Sequence, residues 1–186
     1  TLVEEAEVTA KASKSYLPAN NEKLRPRTIA SVAQTKVERL ATGIREFDRV
    51  LGGGVVPGSL VLLGGTPGIG KSTILLDAGL RFGQQGIKVL YVSGEESEEQ
   101  TAMRAVRLGR AQANDNLLIL TATDLDAILA QANALKPQLL IIDSIQTMYN
   151  PELQTAAGSV GQVRECTAKL LQFAKSTGIA VLLIGH

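Results

Sequence analysis

Tryptophan is absent, cysteine and histidine occur once each, and aromatic residues make up 3% of the 186 residues. A single cysteine excludes an intramolecular disulfide framework and points to a reducing compartment. With 45% hydrophobic residues and so few aromatics, the core has to be aliphatic, and a chain of this length can bury one sizeable core. The net charge is only +1. No global field therefore draws the chain to a polyanion, and any such site has to be local. No signal peptide and no apolar run long enough to span a bilayer is legible, so the expectation is a cytoplasmic protein with no membrane partner.

What is present is concentrated in one stretch, Gly65-Thr66-Pro67-Gly68-Ile69-Gly70-Lys71-Ser72, which follows the apolar run Leu60-Val61-Leu62-Leu63. This is a P-loop (Walker A) pattern. Its glycines let the backbone curl so that N–H groups point at phosphate oxygens, and the N-terminus of a following helix adds partial positive charge. Lys71 is placed to reach the β and γ phosphates, and Ser72 to ligate Mg²⁺. Gly65 to Thr73 is accordingly the expected nucleotide-binding segment, with ATP/ADP and Mg²⁺ as cofactors. Helical spacing of Ile74, Leu75, Ala78 and Phe82 predicts a helix over 71–82, ended by Gly83.

Residues 1 to about 40 differ from the remainder. They are polar, contain Pro18 and Pro26, and show no sustained periodicity, which reads as a linker or arm with a mild basic tilt from Arg25, Arg27, Lys36 and Arg39. Residues 41–186 read as one globular core. Strands are expected at 60–64, 87–93, 117–121, 138–143 and 179–184, and further helices at 97–108, 124–135 and 158–176. Aliphatic strands alternating with helices predict an α/β fold, a doubly wound, mainly parallel sheet with ligands at the C-terminal ends of the strands.

Two acidic positions fall at such ends. Leu139-Leu140-Ile141-Ile142-Asp143 is a buried strand ending in a carboxylate, the Walker B pattern, and Asp143 would join Ser72 around Mg²⁺. Glu95, just after the strand that ends Tyr91-Val92-Ser93 and one glycine, can orient and deprotonate an attacking water, with Glu96 in reserve. Glu98 and Glu99 suit the first turn of a helix capped by Ser97. Cys166 shares a helix face with Val163, Leu170 and Phe173, which reads as a small core residue. Arg104, Arg107 and Arg110 read as a solvated helix face, one of them able to flank the adenine.

The run from Thr42 to Ser59, Thr42-Gly43-Ile44-Arg45-Glu46-Phe47-Asp48 through Gly52-Gly53-Gly54, precedes the P-loop as it does in the RecA superfamily. Together with Tyr91-Val92-Ser93-Gly94-Glu95-Glu96-Ser97, Gly158-Ser159-Val160-Gly161-Gln162-Val163-Arg164-Glu165-Cys166 and Leu183-Ile184-Gly185-His186, it resembles the RadA (Sms) family of bacterial DNA-repair ATPases over nearly the whole chain. The resemblance implies a RecA-like P-loop core forming a homo-oligomeric ring, a hexamer. Such a ring is stimulated by single-stranded DNA and drives branch migration of recombination intermediates, with a recombinase as a further partner. By position it implies Lys71 and Ser72 on phosphate and Mg²⁺, Glu95 as catalytic carboxylate, Asp143 as Walker B and His186 as γ-phosphate sensor. The segment from Gln146 to Ala157 would face the central channel. It contains no lysine or arginine, so DNA contact would fall to backbone amides, Gln154, Thr155, Ser159 and Arg164.

The same resemblance places Thr1-Leu2-Val3-Glu4-Glu5 just after a four-cysteine zinc module, so zinc is expected only in that module, outside this chain. His186 would precede a second DNA loop, a Lys-Asn-Arg-Phe-Gly motif and a protease-like domain. Nucleotide binding with little turnover is therefore expected of this stretch alone, the missing cation coming from a neighbour. The alternative is a RecA-core regulatory ATPase or phosphotransferase acting on protein, which the paired Glu95 and Glu96 also resemble. A small-molecule kinase would want an acceptor pocket and lid arginines, and neither is legible.

Overall fold

A computed structural model describes residues 26–33, 37–110 and 114–186. Five strands, β1 (Leu60–Gly64), β2 (Val89–Ser93), β3 (Leu117–Thr121), β4 (Leu139–Asp143) and β5 (Ala180–Gly185), form one sheet in the order β1-β5-β4-β2-β3. Every pairing is parallel. The three inner strands are buried along nearly their whole length, whereas edge strands β1 and β3 are only partly covered. That is why β2, β4 and β5 read as continuous aliphatic runs, the signature of a parallel strand covered on both faces.

Helices α3 (Lys71–Gln84), α4 (Glu98–Arg107), α5 (Leu125–Leu135) and α6 (Val160–Thr177) supply that cover, and two shorter helices, α1 (Ile29–Ala33) and α2 (Arg45–Val50), precede them. Alternate strand residues divide between two cores. Tyr91, Ile141, Leu182 and Ile184 pack against Leu75, Leu76 and Phe82 of α3 and Ala105 of α4. Val92, Leu140, Ile142 and Leu183 pack against Leu125 and Ile128 of α5 and Cys166, Leu170 and Phe173 of α6. Each fully buried aliphatic side chain contributes about 1.5–3 kcal/mol of transfer free energy, so the two clusters carry the fold. The expected doubly wound α/β architecture is borne out.

Capping explains where three helices start. Ser97 and Gln100 form a reciprocal capping box on α4, Asp124 accepts from the N–H groups of Asp126 and Ala127 on α5, and Ser159 accepts from the N–H of Gln162 on α6. The expected stop of α3 at Gly83 is corrected. The helix runs through Gly83 to Gln84, and the left-handed residue that follows is Gly86. Gly83 is buried, and its carbonyl accepts a bond from Asn116 Nδ2 at 3.0 Å; tertiary packing there outweighs the low helix propensity of glycine. The expected strand 87–93 begins two residues later, because the Lys88 N–H is used by Gln138 Oε1.

Of the expected arm, residues 1–25 and 34–36, including Pro18, Arg25 and Lys36, lie outside the described residues. Arg39 and Leu40 are joined to the core: Arg39 Nη1 donates to Leu51 O at 2.9 Å, and Leu40 pairs antiparallel with Val55. No helix among the described residues is long and apolar enough to cross a membrane.

Candidate nucleotide site

Sheet register brings the tips of four strands level. Ser93 stands beside Asp143 across the β2–β4 pair, and Gly64 beside Gly185 across the β1–β5 pair. The loop 65–70 leaves the tip of β1 and enters α3 at Lys71. Gly70 occupies the N-cap position with φ 98°, in the left-handed region that only glycine adopts at low cost, and no side chain caps the helix there. The first-turn N–H groups of Lys71, Ser72 and Thr73 therefore have no intrahelical acceptor and face the loop's concavity. This is an anion cradle built from backbone donors and a helix dipole.

Lys71 is 8% exposed, and its ammonium donates to the carbonyls of Gly65 at 2.6 Å and Thr66 at 2.8 Å. Two of its three donor hydrogens are thus held on the loop, which fixes the charge at the mouth of the cradle. Pro67 and Gly68 belong to the same wall as Gly70, Lys71, Ser72 and Thr73, whereas Ile69 projects outward, 70% exposed.

Glu95, Arg104, Asp143 and His186 line the same pocket. Ser72 Oγ donates to Asp143 Oδ1 at 3.0 Å, and Tyr91 Oη donates to Asp143 Oδ2 at 2.5 Å. Burial, then the adjacent Asp143 charge, pushes the Tyr91 hydroxyl far above its ordinary range, so it stays a phenol and a donor. A hydroxyl and a carboxylate oxygen this close are hard oxygen donors of the kind that share Mg²⁺ with phosphate. Among the described residues no group of three or more His, Cys, Asp and Glu could hold a metal by itself.

Glu95 and Glu96 differ in their partners. Glu95 is exposed in the pocket, and its Oε1 accepts a bond from the buried Ser144 hydroxyl at 3.2 Å. Glu96 is ion-paired with Arg104, and its backbone carbonyl accepts from Ser93 Oγ at 2.8 Å. Gly94 makes the turn between β2 and Glu95 possible, since a Cβ there would collide with the Thr147 hydroxyl. His186, exposed at the tip of β5, lies in the same pocket, and its carbonyl accepts from Gln146 Nε2 at 3.0 Å.

The expectation of a solvated arginine face is corrected for two of three residues. Arg104 is turned inward onto the pocket, and Arg110 pairs with Asp77 at 2.9 Å; only Arg107 is exposed. Tyr91 and Ser144 are the site residues that sequence reasoning missed, and Arg104, read as part of a solvated face of which one residue could flank the adenine, lines the pocket. The pairing of β2 with β4 is what brings Tyr91 and Ser144 to the site, and no local sequence pattern signals it.

The segment expected to face a channel is partly folded inward. It begins within a 3₁₀ turn, Ile145–Thr147, and Met148 and Asn150 are buried. Gln162, 1% exposed, latches it by accepting from Asn150 N and donating to the carbonyls of Asn150 and Thr155. Gln154 and Thr155 stand exposed, and the Ser159 hydroxyl is engaged as the α6 cap. Arg164 is exposed in a shallow groove with Gln146, Val160 and His186. Gln154 and Thr155 are thus not part of the nucleotide pocket, whereas Arg164 lies next to its His186 end. Cys166 is buried, and desolvation pushes its thiol up to about 11, as suits a core residue.

The sequence profile of the AAA domain family matches residues 25–186. Among curated proteins, the chain is similar to DNA repair protein RadA of Halalkalibacterium halodurans, 48% identical over 187 residues, covering 100% of this chain and 40% of that protein. It is likewise similar to DNA repair protein RadA of Streptococcus pneumoniae, 47% identical, covering 99% of this chain and 43% of the relative. A third is DNA repair protein RadA of Escherichia coli, 49% identical over 158 residues, covering 85% of this chain and 34% of the relative. The resemblance drawn from the motifs is borne out, and the chain spans about 40% of the length of the first of these relatives.

Proposed function

The chain belongs to the AAA domain family, and we propose that it is the ATP-hydrolysing core of a DNA-repair motor. The observation that carries this reading is the convergence of Lys71, Ser72, Asp143 and Glu95 on one pocket at the strand tips. The P-loop amides and Lys71 bind and orient the phosphates of ATP. Ser72 and Asp143 would hold Mg²⁺, which when bound neutralises charge on the β and γ phosphates. Glu95, kept in place by Ser144, accepts the proton of the attacking water, and Glu96 is occupied by Arg104.

The relatives are DNA-repair proteins by name, and this supports single-stranded DNA and recombination intermediates as the polymer on which the motor acts. In this reading the whole protein works in the cytoplasm as a homo-oligomeric, hexameric ring alongside a recombinase. Arg164 and the exposed Gln154 and Thr155 line the channel side, and His186 at the tip of β5 links that side to the γ-phosphate end of the pocket.

The test is steady-state ATP hydrolysis by the full-length protein with and without single-stranded DNA, with Lys71→Ala as control. Stimulation by DNA that disappears in Lys71→Ala is expected. Turnover indifferent to DNA would overturn the motor reading in favour of a regulatory ATPase acting on protein.

A further inference from the structure

The pocket contains a second cation that the roles above leave unused. Arg104 lines the same pocket as Glu95, Asp143 and the P-loop residues Lys71 and Ser72. Its side chain is 19% exposed, its Nη2 is paired with Glu96, and its Nη1 is buried with no hydrogen-bond partner. An unsatisfied donor on a buried charged group is costly and rarely retained without a purpose.

The other arginines nearby show what a purely structural solution looks like. Arg81 and Arg110 both spend their guanidinium on Asp77. The helix also turns Arg104 inward while leaving Met103 and Val106 exposed at 62% and 66%, the reverse of what hydrophobicity would select. A guanidinium held at one nitrogen by a carboxylate and unsatisfied at the other has a donor left for an oxygen of a phosphoryl group. The neighbours identify which one. In the nucleotide reading above, Glu95, Asp143 and Ser72, which line the pocket with Arg104, would stand at the terminal end of the phosphate chain, where Lys71 would reach the β and γ positions from the loop.

We infer that Arg104 is a positioning cation that reads the γ-phosphate from within the same chain: Glu96 holds Nη2, and Nη1 takes an oxygen that ATP has and ADP lacks. This rests on the nucleotide reading of the pocket. Arg104 then makes the site prefer ATP, and ADP release is eased because the contact is lost with the γ-phosphate. Glu96 serves to hold the guanidinium at the correct distance.

The test is equilibrium binding of β,γ-imido-ATP and of ADP, each with Mg²⁺, to the full-length protein by competition with a fluorescent nucleotide. Arg104→Gln is expected to weaken the triphosphate analogue about ten- to a hundredfold, and ADP by less than about threefold. Arg104→Lys, which keeps the charge without the planar fork, is expected to retain part of the preference. Glu96→Gln, which removes the charge but leaves an amide oxygen able to accept from Nη2, is expected to weaken the triphosphate analogue by less than Arg104→Gln does, and ADP by less than about threefold. Equal weakening of both nucleotides by Arg104→Gln would reduce the pair to a structural tie and overturn the inference. Lys71→Ala separates the two readings. If it leaves both affinities intact, the nucleotide site itself is misassigned; if it abolishes both while Arg104→Gln preserves their ratio, only the role of Arg104 fails.

Discussion

Replacing Tyr91 by phenylalanine removes one hydroxyl and leaves the rest of a 1% exposed ring in its packing against α3 and α4. What is lost is the bond from Tyr91 Oη to Asp143 Oδ2 at 2.5 Å. A hydrogen bond to a charged acceptor is worth about 1.5–3 kcal/mol. Asp143 is only half-buried and keeps the Ser72 hydroxyl on its other oxygen, so water can replace the phenol and the low end applies. The expected loss is about 1.5 kcal/mol, a Tm drop of about 3–6 °C for a chain of this size.

Urea denaturation of Tyr91→Phe should lower the midpoint at unchanged slope. In an Asp143→Ala background the same change should cost less than about 0.5 kcal/mol, because the acceptor has gone. The pH dependence gives a second reading. The folded-state pKa of Tyr91 lies above its ordinary 10.0, so the stability it contributes is complete below about pH 10 and is lost as pH rises above that value, where the unfolded phenol ionises first. The gap between wild type and Tyr91→Phe should therefore narrow above pH 10. An equal cost with and without Asp143, or a gap that widens above pH 10, would refute the reasoning.

Cys166, with its thiol raised to about 11 by burial, should react with a thiol reagent at pH 8 only as fast as the chain opens, so its rate should rise with urea; fast labelling in native buffer would contradict the core assignment. Gln162→Leu removes three hydrogen bonds that hold the segment 150–159; about 2–4 kcal/mol of stability should be lost, and protease cleavage should appear within that segment first. Lys71→Ala should remove nucleotide binding in calorimetry without lowering the midpoint of unfolding by more than about 1 kcal/mol, since its two bonds are to exposed loop carbonyls.

Much of this fold was legible because its signals are local. The strands β1, β3 and β4 are short aliphatic runs bounded by turns, and the P-loop fixes its own geometry within eight residues. Caps at Ser97, Asp124 and Ser159 likewise act over three residues. The misjudged features depend on long-range partners. Gly83 continues a helix because residues 114 and 116, far along the chain, pack on it and on Leu80. Helix α4 has its apolar Met103 and Val106 outward, so a reading from hydrophobic periodicity sends Arg104 to solvent. Helix α2 was hidden in a stretch valued for its glycines; its start is stabilised by Asp48, which accepts bonds from Thr42 and Gly43. Tyr91 and Ser144 carried no signal, because a tyrosine in a strand and a serine after one acquire meaning only once β2 and β4 are known to be neighbours.

The most direct test of the central claim is ATP turnover, with ATP binding measured in parallel, for Glu95→Gln and Glu96→Gln of the full-length protein. The account predicts that Glu95→Gln binds ATP within about threefold of wild type and loses turnover by about a hundredfold or more, whereas Glu96→Gln keeps turnover within about tenfold. Normal turnover in Glu95→Gln, or its loss in Glu96→Gln alone, would contradict it and move the catalytic base off the tip of β2 where Ser144 holds it.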